Sequence, residues 1–153
     1  MKATLFALFV ALLMVGCGEP DLSDPDVVED ATADAVDSSK LQDRNGIMYL
    51  ANEENPFTGR AESFYENGQK ELESNYKDGK QDGLSSFWYE NGQKMWERNY
   101  KDGKLMSAEA WKPNGEKCPV TNVNDGNGVW VLYNDDGTEL VRRTYKDGYP
   151  VFD

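Results

Sequence analysis

The architecture of this chain can be inferred from one segment, Tyr65-Glu-Asn-Gly-Gln-Lys-Glu-Leu-Glu-Ser-Asn-Tyr-Lys-Asp-Gly-Lys80. It returns 24 residues later as Tyr89-Glu-Asn-Gly-Gln-Lys-Met-Trp-Glu-Arg-Asn-Tyr-Lys-Asp-Gly-Lys104, with 13 of 16 positions identical. A period of this length is typical of stacked supersecondary units. Such repeat proteins usually offer extended surfaces to partners. The sequence therefore predicts a repeat architecture with a binding role.

Glycines punctuate the repeat region at fixed offsets, and the segments between them are short and rich in Tyr, Trp, Phe and Val. Segments of this kind, separated by turn residues, read as strands joined by short connections. We therefore predict an all-β fold, a repetitive antiparallel β-hairpin meander. The glycines that we predict to be structural are Gly59, Gly68, Gly79, Gly83, Gly92, Gly103, Gly115, Gly128, Gly137 and Gly148.

One family of turns can be predicted in more detail. Its central triplets are Glu66-Asn67-Gly68, Glu90-Asn91-Gly92, Pro113-Asn114-Gly115 and Asp135-Asp136-Gly137. A type I turn followed by a left-handed glycine accommodates Pro113 and fits all four triplets. We expect the same turn at Lys77-Asp78-Gly79 and its two equivalents. With this loop length the apolar alternation places one set of residues on a single face of the sheet. That set is Phe64, Trp88, Trp111, Tyr133, Leu72, Trp96, Val141, Tyr76, Tyr100 and Tyr145.

Composition and charge exclude several classes of function. The net charge of -12 argues against nucleic acid, whose phosphates require clustered Lys and Arg, and against direct adhesion to anionic lipid headgroups. The chain contains no His, which removes His-dependent triads and His metal sites. We predict no enzyme activity, no catalytic residue, no metal site and no cofactor.

Three weaker candidates for chemistry have plainer interpretations. Cys118 would need activation by Lys117 or by loop backbone to act as a nucleophile, and a partly buried structural thiol is favoured. Glu71 and Glu73 resemble a glycosidase pair, but Glu and Lys alternate over the whole surface, which favours a solvated face. The oxygen-rich run 122–128 does not have the spacing of an EF-hand and favours a turn.

The N-terminus has the features of an export signal. Met1-Lys2 is followed by an apolar run from Ala3 to Val15, which suits a secretory signal better than a membrane span. The end of this run, Leu13-Met-Val-Gly-Cys17, resembles a bacterial lipobox. The resemblance implies removal of residues 1–16 and acylation of Cys17, and Gly18 implies sorting to the outer membrane. An ordinary signal peptide and a Cys17–Cys118 disulfide are the alternatives.

Residues 17–45 form a distinct acidic segment. Between residues 18 and 44 nine acids face two bases, and no aromatic residue occurs. Low hydrophobicity and like-charge repulsion predict a disordered tether that holds a folded domain, residues 46–153, away from the membrane. Calcium binding by these acids is an alternative, although no EF-hand spacing is present.

The pattern Phe57-Thr-Gly59, Phe64-Tyr-Glu-Asn-Gly68 and Tyr76-Lys-Asp-Gly-Lys-Gln-Asp-Gly83 resembles MORN repeats. It is most similar to the variant in bacterial YwqK-family antitoxin-type proteins. The resemblance covers about residues 46–150 and implies an open, curved, single-layer antiparallel sheet with a scaffold or binding role. The third copy departs from the pattern, since residues 115–128 read as a loop-like insert.

Together these features predict a non-catalytic, lipid-anchored repeat protein of the bacterial cell envelope. It would act as a binding or scaffold module for a protein or an envelope polymer. The alternative is an antitoxin or immunity-type protein that neutralises a toxin by direct binding. The aromatic rows could form a platform for sugars or bases, although packing along the sheet is favoured. The residues that we predict to anchor a partner are Trp88, Trp96, Trp111 and Trp130.

Overall fold

The computed structural model describes residues 34–152 of the 153-residue chain. These residues form eleven strands and one short 3-10 helix, Ser38–Lys40. The strands are β1 (Val36–Asp37), β2 (Leu41–Arg44), β3 (Ile47–Leu50), β4 (Gly59–Phe64), β5 (Lys70–Lys77), β6 (Lys80–Trp88), β7 (Lys94–Lys101), β8 (Lys104–Ala110), β9 (Gly128–Tyr133), β10 (Glu139–Lys146) and β11 (Tyr149–Pro150).

The strands form a meander, as the sequence predicts. The largest sheet has the order β1-β4-β5-β6-β7-β8, a second has the order β11-β10-β9, and β2 pairs with β3. All these pairs are antiparallel except β1 with β4. The all-β prediction of antiparallel hairpins in an open sheet is therefore confirmed.

The three-residue loops are confirmed at all four predicted places. In the first loop the Tyr65 amide donates to the Gln69 carbonyl (2.8 Å), and the Gly68 amide donates to the Tyr65 carbonyl (2.9 Å). Gly68 has a φ of 82°, which is the left-handed conformation that the third loop position requires. The same two backbone hydrogen bonds recur in the loops that close at Gln93, Glu116 and Thr138.

The turns at the opposite edge differ from the prediction. Asp78 and Gly79 both have positive φ, 49° and 76°, and the strand residues that pair across them are Lys77 and Lys80. This is a two-residue type I′ turn and not the three-residue loop that we expected. Asp tolerates the left-handed conformation because its short side chain bonds locally, so Asp-Gly here acts as a hairpin dipeptide.

The prediction that the apolar residues share one face is wrong for Phe64, Trp88, Trp111 and Tyr133. Ser63 pairs with Leu72 and Phe64 pairs with Lys70, so Glu71 is an extra residue in β5. Met95 and Leu140 are the equivalent extra residues in β7 and β10. Each bulge shifts the register by one residue and exchanges the faces.

The two faces of the large sheet therefore carry different residues. The core face bears a paired row that crosses five strands, Ser63, Leu72, Phe87, Trp96 and Ala110. Phe64, Trp88 and Trp111 each follow one member of that row and lie on the opposite, outer face. Tyr76 and Tyr100 lie on the core face, as predicted, because their strands remain in register with Ser74 and Arg98.

A cluster of buried residues lies where the large sheet meets β9. The cluster comprises Trp96, Leu105, Ala108, Ala110, Cys118, Val123, Trp130, Val131 and Tyr133. The insert between β8 and β9 bonds to both strands, since the Ala108 amide donates to Val123 (3.3 Å) and the Asn122 amide donates to Val129 (2.9 Å). The predicted loop therefore takes the place of a missing strand.

The predicted start of the folded domain at residue 46 is too late. Val36 pairs with Ala61, and β2 pairs with β3 across an Arg44-Asn-Gly-Ile47 turn in which Asn45 and Gly46 have positive φ. Asn-Gly between short strands is a strong hairpin signal, and it outweighs the acidic composition of the preceding residues. The tether prediction for residues 17–33 lies outside the described residues.

Candidate binding surface on the outer face

Three hairpins present the same pair of residues on the outer face, one aromatic ring and one lysine. Phe64 pairs with Lys70, Trp88 pairs with Lys94, and Trp111 forms a bridge with Lys117. Residues directly opposite each other on neighbouring strands share a face. We name these six residues the aromatic–lysine row. It arises because each repeat has the same loop and the first two also have the same bulge.

A second row of charge runs beside the first. Glu62 and Glu109 precede Phe64 and Trp111 by two residues, while Glu73 and Glu97 follow Lys70 and Lys94 by three residues that include the bulge. The pairing of Glu62 with Glu73 and of Glu97 with Glu109 places all four on the same face as the row. We name these four residues the glutamate row. Ser86 completes it on β6.

Ion pairs join the two rows. The Lys70 ammonium lies 2.5 Å from Glu73 and 3.3 Å from Glu62. Lys94 pairs with Glu97. Lys117 lies 2.7 Å from Glu109. The hydrogen bond to Glu73 is the main reason why the pKa of Lys70 lies above its usual value. Pairs as exposed as these add little stability, but they fix the positions of the lysines and leave the surface nearly neutral.

The rings of the row are accessible. Phe64 is 52% exposed. Trp88 and Trp111 are partly exposed. The ammonium groups of Lys94 and Lys117 lie 5.5 Å and 6.0 Å from the centre of the Trp111 ring. Large apolar rings that remain in contact with solvent in a regular arrangement are typical of interaction sites.

The structure separates the four tryptophans that were predicted as partner anchors. Trp88 and Trp111 belong to the aromatic–lysine row. Trp96 and Trp130 are 9% and 5% exposed and lie in the core cluster. Two of the four rings are therefore buried, because the bulges turn Trp96 inward and β9 packs Trp130 beside it. Partner binding by these residues stays a prediction.

Arg98 fills the space between the two buried rings. Its guanidinium carbon lies 4.2 Å from the centre of the Trp96 ring and 3.8 Å from that of Trp130. Arg98 also donates to the Tyr100 hydroxyl (3.1 Å). A guanidinium over indole faces is attracted by the ring quadrupole, and more strongly when water is excluded. The arrangement is structural, and it ties the repeats to the C-terminal hairpin.

Cys118 is a buried, free thiol. Its sulfur lies 3.0 Å from the Tyr133 hydroxyl and 3.4 Å from that of Thr121. Burial raises the pKa of the Cys118 thiol, but these hydrogen bonds outweigh it, so the pKa lies below its usual value. Lys117 pairs with Glu109. The favoured interpretation of Cys118 as a structural thiol agrees with this setting.

All ten predicted structural glycines have positive φ. Three of them are not in hairpin turns: Gly59 and Gly128 begin β4 and β9, and Gly83 lies within β6. Gly83 alone of these three lies close to an irregularity in strand pairing, that of β5 with β6.

Several predictions cannot be placed on the fold. Cys17, the predicted lipidation site, and the signal peptide of residues 1–16 lie outside the described residues. Between residues 34 and 152, no helix has the length and apolar character needed to cross a membrane. The same part of the chain holds no group of three or more His, Cys, Asp or Glu side chains arranged for a metal ion.

The fold and this surface define an all-β repeat protein built from stacked hairpins. The family model of the MORN repeat variant matches residues 57–78 and 81–102. The resemblance to MORN repeats is therefore confirmed for this part of the chain, and MORN repeats are often binding or scaffold modules. No curated protein and no solved structure matches the chain.

Sequence reasoning missed the lysines of the row and Arg98. The signal for the lysines was present, since Lys70, Lys94 and Lys117 each follow a loop glycine by two residues. Arg98 carried no such signal, because Ser74 occupies the equivalent position in the preceding repeat. Its partner Trp130 is distant in the sequence, and only the packing of β9 brings them together.

Proposed function

We propose that this chain is a non-catalytic, lipid-anchored protein of the bacterial cell envelope whose repeat domain is a binding or scaffold module. The observation that carries the proposal is the aromatic–lysine row. It places three partly exposed rings at equivalent positions of successive hairpins. A sheet that needed these rings only for stability would bury them, as it does Trp96. The partner is a protein or a polymer of the envelope.

The N-terminal sequence supports the anchor. Gly16-Cys17 follows an apolar run of the length of a secretory signal, and the acidic segment after it suits a spacer. More than one acyl chain is needed for stable attachment to a bilayer, and acylation of a lipobox cysteine would provide this.

Membrane fractionation tests the anchor, and the two cysteines of the chain provide the variant and its control. We expect the Cys17→Ser protein to move from the membrane fraction to the soluble fraction. The Cys118→Ser protein should stay with the membrane, because that thiol is buried in the folded domain. Cys17→Ser protein that remained fully membrane-bound would contradict lipid anchoring.

Crosslinking in native membranes tests the binding module. The Trp88→Ala protein should lose crosslinks that the wild-type chain forms. The Phe152→Ala protein should keep them, since Phe152 is a 77%-exposed ring outside the row. Equal crosslinking by all three folded proteins would overturn the assignment of the row. Recovery of a toxic protein whose toxicity the chain suppresses would support the antitoxin alternative.

A further inference from the structure

We propose that the aromatic–lysine row binds an extended, uncharged β-1,4-linked glycan, with the chain of sugars running across the strands. The inference rests on the proposed function, since it names the partner of the same surface. Three properties of the row carry it: the spacing of the rings, the balance of charge around them, and the open, linear form of the site.

The spacing of the rings matches the repeat of such a glycan. Phe64 is on β4, Trp88 is on β6 and Trp111 directly follows β8. Hydrogen-bonded strands are about 4.8 Å apart, so rings on alternate strands are about 10 Å apart. This distance is close to the length of one disaccharide in an extended β-1,4-linked chain. Successive sugars of that chain are flipped, so every second sugar turns the same face toward the row.

The charge of the row favours a neutral ligand. Each lysine of the row is paired with at least one member of the glutamate row. A polyanion would be repelled by the glutamates and by the net charge of -12, and a polycation would be repelled by the lysines. Sugar hydroxyls both donate and accept hydrogen bonds. They can therefore use ammonium donors and carboxylate acceptors that alternate along one line.

Further polar groups lie beside the row on the same face. A cleft of ≈ 360 Å³ is lined in part by Glu97, Asn99, Ser107 and Glu109. Glu97 and Glu109 belong to the glutamate row, and Asn99 and Ser107 extend the hydrogen-bonding groups along the same face. Aromatic faces combined with nearby hydrogen-bonding groups are the arrangement that binds flat ligands with one apolar side and a polar rim.

The rings of the row are not equivalent in their availability. Lys94 and Lys117 lie within 6.0 Å of the Trp111 ring, so their ammonium groups must move before a sugar stacks there. Among the contacts of residues 34–152, no cation lies over the ring of Phe64 or Trp88. Phe64 and Trp88 therefore provide the strongest test of stacking.

Isothermal titration calorimetry with the full chain in detergent tests the proposal, with chitohexaose as the probe. Chitohexaose spans three disaccharides and should bind at least about tenfold more tightly than chitobiose, which reaches a single ring. Maltohexaose has the same number of sugars but curves through its α-1,4 linkages. It should bind at least about tenfold more weakly than chitohexaose, since the stacking of one ligand ring on an aromatic side chain contributes about tenfold to affinity.

Two ring removals and a matched control complete the test. Trp88→Ala and Phe64→Ala should each weaken chitohexaose binding by about tenfold or more. Phe152→Ala, which removes an exposed ring of the same type as Phe64, should leave binding unchanged. Circular dichroism checks that each variant is folded. If Trp88→Ala does not fold, Phe64→Ala still tests the row, because Phe64 is exposed and its removal leaves the core intact.

Three results would overturn the glycan assignment. They are the absence of binding at millimolar chitohexaose, equal binding of maltohexaose, and an equal loss in the Phe152→Ala control. If the chain binds no glycan but still forms Trp88-dependent crosslinks to a protein, the glycan proposal is wrong and the proposed binding module is retained. If the chain shows neither glycan binding nor Trp88-dependent crosslinks, both proposals are wrong.

Discussion

At the scale of single residues, the contact of Arg98 with two tryptophans explains the small side chains around it. Ala108 pairs with Arg98 and Ala110 pairs with Trp96 on the core face of β8. Both alanines are at most 5% exposed. Larger residues there would block the path of the Arg98 side chain from β7 to Trp130. The alternation of large and small side chains across neighbouring strands is what allows the stack.

Removing the Arg98 side chain should destabilise the fold more than removing an arginine side chain at the surface. Arg98→Ala removes a cation between two rings and leaves a gap, so we expect a loss of about 2 kcal/mol in the free energy of unfolding. Arg143→Ala is the control: Arg143 is exposed and lies 5.9 Å from the Phe152 ring. It should change stability by less than about 0.5 kcal/mol. Urea unfolding followed by circular dichroism measures both, and equal effects would contradict a structural role for the stack.

At the scale of elements, two kinds of turn alternate along the meander. Three-residue loops close one edge, and two-residue Asp-Gly turns close the other. The two-residue turns also stack on their neighbours. The Gly79 amide donates to the Phe57 carbonyl (2.8 Å), and the Gly79 carbonyl accepts from the Met48 amide (2.8 Å). A glycine is needed there for two reasons, its conformation and the close approach of β3.

The two kinds of turn should respond differently to alanine. Gly68 and Gly79 have similar φ values, 82° and 76°, but only Gly79 is crowded. A Cβ atom at Gly79 would lie 2.3 Å from the Ile47 side chain and 2.8 Å from the Met48 carbonyl oxygen. A Cβ atom at Gly68 would have no atom within 4 Å other than those of Gly68 itself and its two chain neighbours. We expect Gly68→Ala to lower the free energy of unfolding by about 1 kcal/mol and Gly79→Ala to lower it by about 3 kcal/mol.

Thermal and urea unfolding of the two glycine variants give the comparison. The difference between them isolates the steric term, because the conformational cost is common to both. If Gly68→Ala proved as costly as Gly79→Ala, the stacking of β3 on the Asp-Gly turn would not contribute to stability.

At the scale of the whole molecule, side chains link successive repeats at the loop edge. The Tyr65 hydroxyl donates to the Trp88 carbonyl (2.5 Å), and the Tyr89 hydroxyl donates to the Trp111 carbonyl (2.9 Å). Asn67 and Asn91 make equivalent bonds to the Glu90 and Pro113 carbonyls. These links join the loop that follows one ring of the aromatic–lysine row to the backbone at the next ring.

One of these links predicts how stability depends on pH. Burial raises the pKa of Tyr89 from 10.0 to about 12. The folded state therefore holds this proton more tightly than the unfolded chain does. The stabilisation is complete below about pH 10 and is lost as the pH rises toward 12. We expect the free energy of unfolding to fall over this range, and to fall less steeply in Tyr89→Phe.

The control for the pH dependence is Tyr149→Phe, because Tyr149 is 55% exposed and its removal should not change the slope. The wild-type slope should also persist in part in Tyr89→Phe, because the hydrogen bond with Cys118 and burial raise the pKa of Tyr133 to about 12. A Tyr89→Phe protein with the full wild-type slope would show that this phenol does not titrate with unfolding.

Local chemistry in the sequence determined the hairpins of this protein, since Asn-Gly and Asp-Gly dipeptides at a fixed period specify where strands turn. It also determined the four three-residue loops, because Pro113 is compatible with only one of the turn types considered. The faces of the strands were decided by the tertiary structure. Glu71, Met95 and Leu140 bulge without any glycine to mark them. Alternation assigns a face only while the register holds, so one unmarked extra residue places Trp96 in the core and Trp88 at the surface. The energy of packing Trp96 and Trp130 around Arg98 is available only when distant strands meet, and no local pattern contains it.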